Sequence, residues 1–336
     1  MMLFRAATLF FSCFCPLGLL PSCQTLAFYG QAVGGHWEIM QKSRPSPEVI
    51  ADPATPAEIR NKLAMVEEIR HFATKHLSLP GEKSYGRYAD LGRKHVVWVL
   101  YAAPEFSMEP KKWRYPAVGE MDYRGYFRKE DSDALATRLR VDGDDVFVGG
   151  VDAYSTLGWF HDPVLNTFVH YPEIDLAEIL FHELSHQKLF RKGDTEFNES
   201  LANVVAEAGV RRWLKHHGRL DELENYEGRL VRRREFYHEV DLAKRELTAL
   251  YAADKPPSEM RLGKSKILKN LQSRFLELRR RWGGRGLESW LTEEIHNGHL
   301  ISLSLYYEKM PVFEKLLEDC GGDLDLFFKQ ASHLRL

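Results

Sequence analysis

His182-Glu183-Leu184-Ser185-His186 is an HExxH pattern. On an α-helix, residues four apart share a face, so His182 and His186 can present two imidazoles to one ion. Glu183 lies about a third of a turn round, beside the ion's open coordination position. There it can take a proton from a water, the arrangement that hydrolytic zinc sites use. Two histidines do not close such a site, which usually takes three protein ligands. Gly193 is expected to end the first helix, and Asp194 or Thr195 to cap the next, giving a helical hairpin. Beyond His186 the first helix then runs on for roughly 8–9 Å, and the second returns by roughly 6 Å at Glu199. Glu196 comes too early and Glu207 overshoots by about two turns. Glu199 is therefore the expected third ligand of one zinc ion per chain. Asn203, four residues on along the same face, is placed to hold a ligand from behind.

The elements around this stretch have to position it. Leu176, Ile179, Leu180, Leu184 and Leu189 recur at helical spacing, and Pro172 stands just before them. Upstream, His95–Tyr101 reads as a buried strand, and Val118–Phe127, Thr137–Val141, Asp145–Tyr154 and Val164–His170 as further strands. The N-terminal part offers an amphipathic segment from Ala27 to Gln41, a Pro-containing loop from Arg44 to Pro56, and a helix from Thr55 to His76. After the hairpin the chain is nearly all helix. Leu220–Ala252 is stopped by Pro256-Pro257, and Ser258–Trp282 by Gly283-Gly284. The predicted class is α+β, predominantly helical, with a small sheet beside the HExxH helix in a zincin-like arrangement.

Residues 1–22 read as a leader rather than as part of the fold. Arg5 is their only charge, and an apolar run from Ala6 to Leu20 follows, short for a membrane span and suited to a signal-peptide core. Leu20-Pro21-Ser22-Cys23 resembles the lipobox of bacterial lipoproteins, and that resemblance implies cleavage before Cys23 and acylation of its thiol. Gln24 after the cysteine resembles the pattern of outer-membrane sorting, so the expected location is the envelope, facing the periplasm. Residues 23–336 would then be one metallopeptidase domain. Of the four cysteines, Cys13 and Cys15 leave with the leader and Cys23 is acylated, so Cys320 has no partner for a disulfide. The formal net charge of −2 becomes −3 without Arg5, and nothing in that balance points to nucleic acid.

Several stretches together resemble a bacterial family of putative aminopeptidases. They are Tyr29-Gly-Gln-Ala-Val-Gly-Gly35, Asp122-Tyr-Arg-Gly-Tyr-Phe127, Ala153-Tyr-Ser-Thr-Leu-Gly-Trp-Phe160, the HELSHQ helix, Phe197-Asn-Glu-Ser-Leu-Ala202, and Asn297 with Tyr306-Tyr307. The resemblance implies a zinc metallopeptidase and makes Tyr306 and Tyr307 candidates for the hydroxyl that stabilises the oxyanion. HExxH aminopeptidases usually carry a GxMxN strand upstream. This sequence has none, so exo- and endopeptidase both stay open.

A sheet edge ahead of the active helix would let a peptide pair as an added strand. Tyr154, Ser155, Thr156 and Gly158 are in the right place in sequence for that edge, and Arg124 is a candidate anchor for a substrate carboxylate or a partner of Asp122. The leading expectation is a zinc-dependent peptidase, lipid-anchored to the bilayer, with Glu183 as general base. A non-catalytic zinc lipoprotein serving as scaffold and a cell-wall peptide amidase are the alternatives.

Overall fold

The computed structural model describes residues 23–115, 119–153, 155–156 and 160–335, without the side chains of residues 23–27 and 304–306. The expected leader over residues 1–22 lies outside the described residues, as do the side chains of Cys23 and Tyr306, and Tyr154 and Gly158.

The chain opens with α1 (Cys23–Lys42), the short β1 (Arg44–Pro45), α2 (Ser46–Ala51) and α3 (Ala57–Leu77). Ile59, Leu63, Val66, Ile69, Phe72 and Leu77 recur every three to five residues along α3 and are buried. The strands follow: β2 (Arg87–Ala89), β3 (Val97–Pro104), β4 (Trp113–Tyr115), β5 (Gly119–Met121) and β6 (Arg124–Tyr126), then α4 (Lys129–Val141), β7 (Asp144–Val151) and β8 (Val164–Leu165). β3 is the centre of an antiparallel sheet in the order β6-β3-β7, paired with β7 from Val97 opposite Val151 to Pro104 opposite Asp144. β4 and β5 form a hairpin, and β2 joins β1 and β8 in a second small sheet.

From Glu173 onward the chain is helical. It comprises α5 (Glu173–Lys188), α6 (Thr195–His216), α7 (Leu220–Tyr251), α8 (Pro257–Arg281), α9 (Glu288–Thr292), α10 (Asn297–Tyr307), α11 (Met310–Asp319) and α12 (Leu324–His333). The class is α+β, mostly helical with small sheets. One apolar cluster runs from Ile39 to Ala331 and takes in Leu176, Leu180 and Leu184 of α5 with Leu201 and Val205 of α6. Cys320 is a free, buried thiol. No helix among the described residues is long and apolar enough to cross a membrane.

Three expected strands need correction. Thr137–Val141 is the end of α4, a helix whose first turn carries Glu130 and Asp131 and whose last turn carries Arg138 and Arg140, the charges its dipole favours. Lys129 and Asp133 pair one turn apart at 2.7 Å, and Ala136 is buried with Leu100 and Val146. Of Val164–His170 only Val164–Leu165 is strand. The amides of Phe168 and Val169 turn back to the Leu165 carbonyl. Val118–Phe127 divides, in its described part, into β5 and β6.

Candidate metal centre

α5 is fixed from both sides. Leu176, Leu180 and Leu184 are fully buried, while the acidic residues on its other face meet neighbouring helices. Arg229 lies 2.6 Å from Asp175, Arg233 lies 2.6 Å from Glu178, and the Trp213 indole N–H donates to Glu173 at 2.8 Å. α6 returns close alongside. A Cβ on Gly209 would stand 2.6 Å from the Phe181 ring of α5 and 2.9 Å from Leu77 of α3, so glycine permits this approach.

α5 ends at Lys188, earlier than the expected stop at Gly193, because Leu189 turns extended. The connection is held by Asn198, whose side chain accepts from the Arg191 N–H at 2.7 Å and donates to the Arg191 carbonyl at 2.8 Å. Gly193 (φ +78) makes a turn within that connection, and Asp194 caps α6 by accepting from the Phe197 N–H at 3.1 Å. The loop covers the rise expected of the helix, so Glu199 still arrives beside the histidines.

His182, His186 and Glu199 converge, each offering a ligand atom within 4.8 Å of the others. The two Nε2 atoms are 3.1 Å apart; His182 Nε2 stands 3.2 Å from Glu199 Oε2, and His186 Nε2 stands 3.7 Å from Glu199 Oε1. Ligand atoms tetrahedrally bonded at about 2.0–2.1 Å to one ion stand about 3.3 Å apart. The three separations bracket that value, and the donor set fits a metal ion. Asn203 reaches the far side of His182, with Oδ1 3.0 Å from Nδ1. Glu183 is not a member of the triad. Among the described residues no side chain hydrogen-bonds its carboxylate.

Burial opposes charge on His182, but the Glu199 carboxylate outweighs it and brings the imidazole up to about 9. Burial, aided by the charge on His182, takes His186 down to about 4. Burial also opposes the charge on Glu199, yet the two imidazoles hold it below the usual carboxylate range. Glu183 goes the other way, pushed up to about 7 by burial, with Glu199 and Asp162 adding to the effect.

A profile of the family described as putative aminopeptidase matches residues 27–336. The chain belongs to that putative aminopeptidase family. Neither the curated proteins nor the solved structures include a match.

Around this aminopeptidase-family triad lie groups that spacing along the chain did not reveal. Asp162 is 1 % exposed and ties the segment after β7 to α5. Its carboxylate accepts from Thr156 N at 3.0 Å, Thr156 Oγ1 at 2.7 Å, Ser155 Oγ at 3.3 Å and Gln187 Nε2 at 3.5 Å. Ser155 and Thr156, expected at a substrate edge, are thereby fixed beside α5. At the start of the same segment Asp152 bonds the His95 ring at 2.5 Å and the Tyr171 hydroxyl.

Tyr85, with φ of 63, takes a strained conformation for a bulky residue. Its amide donates to the Asp162 carbonyl at 2.6 Å, and Arg70 pins its loop through the carbonyls of Gly81 and Ser84. Burial, and then the charges of Glu183 and Asp162, hold its hydroxyl well above the tyrosine range. Tyr123, between β5 and β6, lies 5.7 Å from the Tyr101 ring. Burial, followed by the charge of Glu199, has the same effect on its hydroxyl. The β4–β5 hairpin just before it packs on the α5–α6 connection, where a Cβ on Gly119 would stand 3.1 Å from the Gly193 amide. Tyr123 sits in the Asp122–Phe127 stretch that carried the family resemblance, and that was its only signal in the sequence.

Two expected site residues are engaged elsewhere. The Arg124 guanidinium lies 4.0 Å over the Phe28 ring, a cation–π contact. Tyr307 stacks on Tyr237 of α7 at 4.4 Å. The charges acting on its hydroxyl are those of Asp241, Glu308 and Arg245, none of them in the triad.

Proposed function

We propose that this chain is a zinc-dependent peptidase that hydrolyses peptide bonds at the His182–His186–Glu199 centre, in a zincin-like arrangement. The observation that carries the reading is the position of Glu183. It is a half-buried carboxylate next to a metal ligand, outside the ligand set, with no described side chain bonded to it. A purely structural metal site has no use for such a group and usually closes with four protein ligands.

Zinc, when bound, lowers the pKa of a water to near neutrality and polarises the scissile carbonyl. Glu183 takes the proton of the attacking water and hands it to the leaving amine. Asn203 bonds His182 Nδ1 and would leave Nε2 to hold the ion. Ser155 and Thr156, fixed by Asp162, would border the path of an extended peptide, and Tyr123, whose hydroxyl feels the charge of Glu199, would offer an O–H donor. The family's name makes removal of N-terminal residues the first form of activity to examine. We also propose that Cys23 is acylated and holds the enzyme to the bilayer of the bacterial envelope, facing the periplasm.

The test is cleavage of a peptide library with free and with blocked N-termini, before and after chelation and zinc replenishment. Cleavage lost on chelation and restored by zinc is expected, with about one zinc per chain. Full activity in metal-free protein would overturn the proposal.

A further inference from the structure

α1 turns an uncharged apolar face to solvent. Tyr29, Val33 and Trp37, four residues apart and so on one stripe, are 36, 70 and 62 % exposed. Gly30 and Gly34 lie beside the stripe, and a Cβ at either would meet nothing within 4 Å. Phe160, 50 % exposed, rests against the His36 ring at 4.4 Å and widens the patch. No Asp, Glu, Lys or Arg occurs in α1 before Glu38. The remaining exposed large apolar side chains among the described residues are scattered singly over α4, α7, α8, α11 and α12. Contiguous patches of this kind mark interaction surfaces.

The other side of α1 is already taken. Phe28 and Ile39 are buried, Gln31 accepts from the Phe127 N–H at 2.9 Å, and Gly35 faces the Phe127 ring so closely that a Cβ there would overlap it. The stripe therefore points outward because the inner face is clamped to β6 and the segment after it.

What covers the stripe follows from the chain before it. The apolar run Ala6–Leu20 ends three residues ahead of Cys23, where α1 begins. Trp37 is fourteen residues further, about 21 Å along a helix. A chain tethered at that point keeps the whole stripe within reach of the bilayer. Tyrosine and tryptophan with an aliphatic residue between them is a composition that the membrane–water boundary favours. We infer that α1 lies on the lipid surface with Tyr29, Val33 and Trp37 in the boundary between headgroups and acyl chains, an inference that rests on the proposed membrane attachment. A single tether leaves the protein free to swivel. This second contact fixes its orientation and presents the metal centre at a set angle to the bilayer.

The experiment uses full-length protein in vesicles of phosphatidylethanolamine and phosphatidylglycerol, with acyl chains brominated near the headgroup. Tryptophan fluorescence of wild type is expected to be quenched, and Trp37→Phe to lose most of that quenching. Quenching that is absent, or unchanged in Trp37→Phe, overturns the surface contact. Palmitate labelling of wild type and Cys23→Ser, run in parallel, reads the attachment by itself. A labelled protein with an unquenched Trp37 refutes the stripe and leaves the anchor standing, while an unlabelled protein with a quenched Trp37 does the reverse. Adding Val33→Asp and Trp37→Asp to a chain that begins at Gln24, without leader or tether, should reduce its co-sedimentation with unbrominated vesicles at least tenfold. Equal co-sedimentation would again refute the stripe.

Discussion

Asn203 Oδ1 stands 3.0 Å from His182 Nδ1, so α6 both supplies one ligand of the triad and steadies another. An amide oxygen only accepts, so Nδ1 carries a proton toward Asn203, and Nε2 is the nitrogen that would ligate a bound ion. Asn203→Ala removes that hold without touching the ligand set. Metal affinity is expected to fall about ten- to hundredfold, the usual effect of losing such a partner. Competition against a chromogenic chelator measures it, and unchanged affinity would show that the packing of α5 alone orients His182.

Glu183 and Glu199 are both half-buried carboxylates, and glutamine substitutions should separate their roles. Glu183→Gln preserves size and leaves the triad whole. Peptide cleavage should drop by about 10²–10⁴ with metal content unchanged. Glu199→Gln should lose metal first and activity as a consequence. Elemental analysis beside initial rates distinguishes the two, and loss of metal from Glu183→Gln would make that residue a ligand.

The triad and Asn203 were legible because helical spacing is local. Residues four apart must share a face, and a short connection returns the next helix at a countable height. The errors came where a local pattern competed with a longer one. Thr-Arg-Leu-Arg-Val over residues 137–141 alternates like a strand, yet it completes a helix whose polarity is set by Glu130 and Asp131, seven and six residues before it. Gly193 looked like the helix stop, whereas the connection is set by Asn198, a residue beyond it that clamps Arg191. Tyr85 and Tyr123 feel the charges of Glu183 and Glu199 from separate loops, and no periodicity links either to His182.

His296 and His299 give the fold an acid limit. Burial takes His296 down to about 4 and His299 down to about 3, with Lys264 and Arg140 opposing charge on the first, and His296 and Arg140 on the second. In the unfolded chain both titrate near ~6.5. Above that pH they are neutral in both states and cost nothing. Below it the unfolded chain binds protons that the folded one refuses, so stability falls with pH down to the folded values, by at most ~1.4 kcal/mol per pH unit for each histidine. The double variant His296→Gln, His299→Gln should flatten the urea midpoint between pH 6.5 and about 4. A midpoint as steep as that of wild type would place the acid limit elsewhere.

Gly209→Ala sets two known effects against each other. Alanine favours a helix interior by about 1 kcal/mol over glycine. Its Cβ, however, would stand 2.6 Å from the Phe181 ring, which is wholly buried and has little room to move. Overpacking of this kind costs about 1–3 kcal/mol. The net expectation is a loss of up to about 2 kcal/mol, read from urea unfolding. A stabilised variant would mean that α5 and α6 can separate without penalty.

On the proposed peptidase reading, Tyr123 rather than Tyr307 is expected to be the tyrosine that acts in the reaction. Tyr307 stacks on Tyr237 and answers to Asp241 and Glu308. Tyr123 answers to Glu199 and Glu183, and its own burial keeps the phenol protonated. A protonated hydroxyl that feels the charge of Glu199 would be a donor for the oxygen that becomes negative as water adds to the peptide carbonyl. That interaction strengthens only as the transition state forms. Tyr123→Phe should therefore lower kcat by about 10²–10³, with KM and metal content close to wild type. Tyr307→Phe should leave kcat unchanged. If kcat instead falls with Tyr307→Phe and survives Tyr123→Phe, the donor comes from α10, and the turn between β5 and β6 serves only to pack the triad.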